Sequence, residues 1–287
     1  MIATSQRRTP RLVDCPRDAM QGMARFVPTA EKIAYLNRLL NVGFDIIDFG
    51  SFVSPLAIPQ LRDTDLVIDK LEKNSTTKLL AIVGNLRGAE QALLFDKIDY
   101  LGFPFSISDS FLKLNIHSDL NKAFALTCTL LDKCKAANKQ LVIYLSMGFG
   151  NPYGDNWNVS LVLDWIDRLV QNGATEINLS DTVGVSTPHT IHEVFSHVLT
   201  GFAGVNFGFH LHTSPHDWYP KIDAAWNAGC TSFDAVLTGH GGCPLSGHKL
   251  VDNLGMKSLI SYFDGKEIEL SINRQKLDES FYHSPLI

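Results

Sequence analysis

The chain has 287 residues, of which 45% are hydrophobic and 19% charged, with a formal net charge of −5. These values suit a soluble globular protein, offer no basic face for nucleic acid, and come without the run of roughly 18 apolar residues that marks a membrane span. Five cysteines, an odd number with no close pairing pattern, point to reduced thiols. No apolar segment follows the arginines of MIATSQRRTP, so a secretory leader is not expected. The expectation is a soluble, intracellular, cytoplasmic protein of bacterial type.

Short β-rich apolar runs recur along the chain. In order they are RLVDCP from Arg11, DIIDFGSF from Asp45, KLLAIV from Lys78, IDYLGFPFS from Ile98, QLVIYLSM from Gln140, TEINLSDT from Thr175, NFGFHLHT from Asn206 and SFDAVLT from Ser232. Their spacing is too wide for hairpins. Helix-period stretches lie between them: Ile33, Leu36, Leu39 and Leu40 share one face before Gly43, and NKAFALTCTLLDKCKAAN from Asn121 and SLVLDWIDRLVQNG from Ser160 read the same way. Alternating β and α elements imply parallel strands with right-handed crossovers. Eight such units predict a single-domain (β/α)8 TIM barrel over residues 11–265, with an extension at 1–10 and a tail at 266–287. A doubly wound open sheet is the competing fold, but no strand leads into a GxGxxG turn. One long irregular segment, GFGNPYGDNWN from Gly148, follows strand five and is a candidate active-site loop.

Barrel chemistry sits at the C-terminal ends of strands. There the sequence places Arg17-Asp18 at the end of strand one, Asp48 and Ser51 near the end of strand two, Asp181-Thr182 at the end of strand six and His210-Leu211-His212 at the end of strand seven. The two-residue strand period puts both histidines on one side of the pleat, about 7 Å apart along the chain, where both can reach one ion. An isolated HxH is more often a pair of hydrogen-bonded core histidines. The other ligand types at other strand ends move the metal reading ahead. Two imidazoles alone suit Zn2+, whereas adding Asp18 and the amide of Asn253 favours Mg2+ or Mn2+. Asn253 by itself reads equally well as a helix-surface residue. After strand eight, Gly239, Gly241 and Gly242 lead to Cys243, a thiol on a Gly-rich loop at the barrel mouth. Cys128, Cys134 and Cys230 read as bystanders, and Cys15, before Pro16, as a packing residue.

Six stretches, CPRDAMQG (Cys15 to Gly22), SFVSP (Ser51 to Pro55), GNLRG (Gly84 to Gly88), LSDTVGVSTP (Leu179 to Pro188), HLH and GGCP (Gly241 to Pro244), carry a resemblance. From Cys15 to about Tyr262 the chain resembles the HMG-CoA lyases, within the wider group of DRE-TIM barrel metallolyases that includes isopropylmalate and homocitrate synthases. SFVSP and GGCP set the lyases apart, while RD and HxH are common to the group. The resemblance implies Asp18, His210, His212 and Asn253 as metal ligands, with Arg17 facing a thioester carbonyl and Cys243 as catalytic thiol. Asp18 and His210 become candidates for proton transfer, and Asp48, Asp181 and Asn85 become residues supporting the site or the substrate. It further implies an acyl-CoA substrate, a homodimer, and cleavage of 3-hydroxy-3-methylglutaryl-CoA to acetyl-CoA and acetoacetate, with leucine breakdown and ketone-body formation both open as pathways.

The chain departs from the family pattern at Thr213-Ser214-Pro215 after HLH, at Asn151 where a cysteine is common, at Lys257 where an acidic residue is frequent, and at Arg87 in place of lysine. Three other readings compete. A condensing or aldolase-type relative would act on another hydroxy-acyl or 2-oxo acid. An amidohydrolase-type barrel would carry HxH on its first strand, not its seventh. A non-catalytic binding barrel would lack ligands or the loop thiol.

Overall fold

The computed structural model describes residues 8–242 and 251–286. Strands form at all eight apolar runs: β1 (Arg11–Asp14), β2 (Ile46–Ser51), β3 (Lys78–Ile82), β4 (Tyr100–Ser106), β5 (Gln140–Ser146), β6 (Glu176–Asp181), β7 (Asn206–Leu211) and β8 (Ser232–Ala235). Neighbours pair in parallel, and β8 returns to β1 through Arg11↔Ser232 to Asp14↔Ala235, closing the barrel. The expected (β/α)8 barrel is the observed fold.

The helices described are α1 (Pro16–Gln21), α2 (Thr29–Leu40), α3 (Thr64–Lys70), α4 (Leu86–Leu93), α5 (Asp109–Ile116), α6 (Leu120–Ala136), α7 (Val159–Gln171), α8 (Pro188–Gly201), α9 (Trp218–Ala228), α10 (Met256–Gly265) and α11 (Arg274–Tyr282). Local chemistry sets their limits. Helix α7 starts where the Asn158 side chain accepts a hydrogen bond from the Leu161 N–H at 2.8 Å. Its buried face is Val162, Trp165, Ile166 and Leu169, a 3.6-residue stripe. The helix stops just before Gly173, whose φ of 94° suits glycine. On α2 the buried face is Tyr35, Leu36, Leu39 and Leu40, with Ile33 half-buried at its flank. No helix among the described residues is long and apolar enough to cross a membrane.

The two barrel ends differ in kind. At the N-terminal end, Arg11 pairs with Glu176 at 2.8 Å and donates to Ser232, and Asn206 donates to Glu176 at 2.6 Å. This network ties β1, β6, β7 and β8 together. At the other end, polar side chains face a cavity. The barrel between is packed by side chains, and tightly: a Cβ on Gly102 would lie 2.5 Å from Ile82 and 3.0 Å from the Tyr144 ring.

Two expectations need correction. Arg17 and Asp18 do not end the first strand. β1 stops at Asp14, and Pro16 opens a six-residue helix that carries both residues. Proline's fixed φ and missing N–H make it a natural first helical residue and a poor strand residue. The irregular segment after β5, expected as a candidate active-site loop, does not line the cavity at the barrel mouth. Asn151 Oδ1 accepts from the N–H groups of Tyr153 and Asp155, Asp155 accepts from Ser108 and Ser110 at the start of α5, and Trp157 donates to the Gly148 carbonyl. The segment is fastened to α5.

Candidate metal centre

A cavity of about 280 Å3 opens at the C-terminal end of the barrel. Its lining includes Arg17, Asp18, His210 and His212, with Tyr144 and Ser180, together with the apolar Val53, Ile58, Phe111 and Ile116 and the polar Ser54 and Asn85. A lining both charged and apolar suits a ligand with a polar reacting end and an aliphatic arm.

Asp18, His210 and His212 bring one ligand atom each to within 4.8 Å of one another, all buried. His210 Nε2 and His212 Nε2 are 3.0 Å apart, and His212 Nε2 is 3.8 Å from Asp18 Oδ2. Two nitrogens each about 2.1 Å from one ion and at right angles to each other would be about 3.0 Å apart, so the imidazole pair fits a shared ion. Asn253 joins from the far end of the chain. It pairs with His212 as an antiparallel bridge, and its Nδ2 donates to Asp18 Oδ2 at 2.8 Å. Buried here, Asn253 is no helix-surface residue.

The electrostatics favour a cation. Burial, reinforced by the neighbouring His210, pushes His212 down to about 4, leaving it a neutral imidazole at neutral pH. Burial also opposes charge on His210, but the hydrogen bond and charge of Asp234 outweigh it and hold its pKa above the ordinary value. Asp18 is likewise penalised by burial, yet Arg17, His210, His212 and Asn253 keep it below the usual carboxylate range. A neutral imidazole and an ionised carboxylate are the states that ligate.

Arg17 is held as a fork. Its Nε and Nη2 donate to Asp48 Oδ2 at 2.9 and 2.5 Å, and its Nη1 donates to Asp18 Oδ1 at 2.9 Å and Gln21 Oε1 at 3.0 Å. Burial pushes Asp48 up to about 6 despite Arg17, and its Oδ1 has no partner among the described residues. Asp181 faces elsewhere: its carboxylate accepts from Ser186, Val185 and Lys221, and it enters none of the ligand clusters found among the described residues. Asn85 caps α4 by accepting from the Gly88 N–H at 2.9 Å, and it also lines the cavity. Cys243 lies outside the described residues. The chain just before it runs over α1, since a Cβ on Gly241 would meet Asn253 at 2.7 Å and the Ala19 Cα at 3.0 Å.

Sequence reasoning passed over four residues here. Gln21 donates to Asp18 Oδ1 at 2.5 Å, Tyr144 stacks edge-on to His210 at 5.7 Å, and Asp234 and Asn178 form a buried pair behind His210. Cys15, read as packing only, is indeed buried, but its sulfur also forms a second potential ligand group with His210 and Asp234. The signal for Asp234 and Asn178 was present: a carboxylate or amide in mid-strand of a buried barrel needs a specific partner.

The model of the HMGL-like family matches residues 10–277. The chain belongs to the HMGL-like family. It is 28% identical to the human mitochondrial hydroxymethylglutaryl-CoA lyase over 265 residues, 92% of this chain and 81% of that one. With the Bacillus subtilis hydroxymethylglutaryl-CoA lyase YngG it shares 27% identity over 262 residues, 91% and 87% of the two chains. Among solved structures, an HMG-CoA lyase from Acinetobacter baumannii in complex with coenzyme A and 3-methylmalate superposes with a TM-score of 0.91 at 26% identity, covering 98% of this chain and 92% of that one. An HMG-CoA lyase from Brucella melitensis superposes with a TM-score of 0.89 at 26% identity over 96% and 98% of the two chains. The family and its lyase relatives are those expected from the RD, HxH and GGCP stretches.

Proposed function

We propose that this member of the HMGL-like family is a divalent-metal-dependent carbon–carbon lyase that cleaves 3-hydroxy-3-methylglutaryl-CoA to acetyl-CoA and acetoacetate. The observation that carries the reading is the meeting of Asp18 on α1 with His210 and His212 at the end of β7, beside a buried arginine in the lining of one cavity. Asp18, His210, His212 and Asn253 would hold the ion, with Mg2+ or Mn2+ suited to the mixed oxygen and nitrogen set. When bound, a divalent ion supplies Lewis acidity that makes a substrate hydroxyl easier to deprotonate.

The cleavage itself removes the proton from the C3 hydroxyl, converts C3 to the ketone of acetoacetate, and sends the C2–C3 electron pair into the thioester as an enolate. Protonation at C2 then gives acetyl-CoA. Arg17, fixed by Asp48, Asp18 and Gln21, is placed to stabilise the enolate oxygen. A preorganised donor of this kind contributes roughly 3–4 kcal/mol in other enzymes. Asp18 and His210 are the candidates to accept the hydroxyl proton, and Cys243 is the candidate to return one to C2. Asp48 supports this machinery from behind through Arg17, whereas Asp181, turned to Ser186 and Lys221, is assigned no part in it.

The test is release of acetoacetate from the purified protein and the thioester, before EDTA treatment, after it, and after return of Mg2+ or Mn2+. EDTA-sensitive, metal-restored acetoacetate supports the reading. Unchanged activity in EDTA overturns metal dependence, and no acetoacetate under any condition overturns the substrate.

A further inference from the structure

Behind His210 lies a chain of contacts that the proposed reaction does not itself require. Asp234 on β8 is the register partner of His210 on β7, and its Oδ2 is 3.0 Å from His210 Nδ1. Both Asp234 oxygens also receive Asn178 Nδ2 from β6, each at 3.0 Å. Asn178 is in turn the register partner of Gly208 on β7, and a Cβ at 208 would lie 2.2 Å from Asn178 Oδ1. That separation is far inside van der Waals contact, so Asn178 can lie where it does only against a glycine. His210, Asp234 and Asn178 are all buried, at 8%, 2% and 3% exposure. No surface role accounts for them.

We propose that Asp234 is the positioning residue of the metal centre, fixing the tautomer and orientation of His210, and that Asn178 and Gly208 hold Asp234 in place. The proposal deepens the reading of His210 as a metal ligand and rests on it. A neutral imidazole carries one N–H and one lone pair. With the carboxylate at 3.0 Å from Nδ1, the proton belongs on Nδ1, and the lone pair on Nε2 faces His212 and Asp18. An imidazole backed by a carboxylate is the stronger ligand, and loss of such a partner weakens metal affinity by roughly 10- to 100-fold. Asn178 Nδ2 donates to both Asp234 oxygens, which holds the carboxylate in place between Asn178 and His210. Cys15, whose sulfur groups with His210 and Asp234 as a second potential ligand set, marks the alternative: an ion held by those three would use Asp234 directly.

The experiment uses Mn2+ titrations followed by electron paramagnetic resonance on the wild-type protein, Asp234→Asn and Gly208→Ala. Long-range 15N–1H spectra of histidine-labelled protein, with and without Mg2+, accompany them. Asp234→Asn keeps the size of the side chain and can still accept from Asn178. Gly208→Ala alters neither His210 nor Asp234 and displaces only Asn178, so it serves if Asp234→Asn does not fold. The expected result is Mn2+ affinity at least tenfold weaker in Asp234→Asn, several-fold weaker in Gly208→Ala, and a wild-type His210 that keeps its Nδ1 proton with and without Mg2+. Equal Mn2+ affinity in the wild type and in folded Asp234→Asn overturns the positioning role alone, as does a metal-loaded His210 whose single proton sits on Nε2 and not on Nδ1. A wild-type protein that takes up no Mn2+ overturns the metal reading beneath it.

Discussion

Asn253 Nδ2 donates to Asp18 Oδ2 at 2.8 Å across 235 residues of chain. This bond joins the segment after β8 to the short helix after β1, and it makes the candidate centre a product of barrel closure. Asp18 in turn receives Arg17 and Gln21 on its other oxygen, so both carboxylate oxygens are oriented before any ion arrives. Preorganisation of this kind lowers the cost of assembling a ligand set.

Asp18→Ala therefore removes both a proposed ligand and the anchor of two neighbours. Metal affinity in calorimetric titration is expected to fall by at least tenfold. The wild-type protein at 100 times its metal Kd is expected to gain about 2.7 kcal/mol of stability over the EDTA-treated form, read as a shift in denaturant midpoint. The variant is expected to show almost none of that gain.

Arg17→Met separates catalysis from binding at some cost in stability. Cleavage is expected to drop roughly a hundredfold to a thousandfold, with KM changing far less. Removing one partner of a buried pair leaves Asp48 uncompensated, which costs about 3–5 kcal/mol, so Tm must be measured beside turnover. Near-normal turnover in a folded variant removes Arg17 from the mechanism.

Cys243→Ser is expected to lower turnover by about a hundredfold or more while leaving Mn2+ affinity at the wild-type value. A parallel fall in Mn2+ affinity would make Cys243 part of the ion site and not a proton donor.

Gly88 sits inside α4, where alanine normally improves a helix by about 1 kcal/mol. Here a Cβ would lie 2.2 Å from the Phe52 carbonyl oxygen, so the sign reverses. Gly88→Ala is expected to cost about 1–3 kcal/mol in denaturant unfolding, because β2's exit loop must move off the helix.

Asp14, fully buried, has its pKa raised from 3.8 to about 8, chiefly by burial. The folded state thus holds a proton that the unfolded chain releases, and stability falls as pH rises from about 4 to about 8. The slope from this one group approaches about 1.4 kcal/mol per pH unit. Asp14→Asn keeps an acceptor for the Leu237 N–H, which now binds Oδ1 at 3.0 Å, and is expected to flatten that part of the stability–pH curve.

The barrel was readable because its strands are apolar runs bounded by breakers, and eight such runs at wide spacing leave few topologies. The first-strand site was misread because α1 spans only six residues, too few for a helical period to register. Pro16 was the one local sign of it. Asp181 sits at the expected strand end but turns to Lys221 and Ser186, since strand position fixes the backbone and not the direction of a carboxylate. Asp234 escaped notice inside SFDAVLT because its partners, Asn178 and His210, come from two other strands. Pairings of that kind become visible only once register is known.

Closure of the ring through β8 and β1 also sets when the candidate site can first be complete. A growing chain that has produced Asp18 and even both histidines still lacks Asp234 and Asn253, so no early fragment owns a complete grip on metal. The candidate ligand set is therefore whole only once the two ends of the chain have met across the β8–β1 seam.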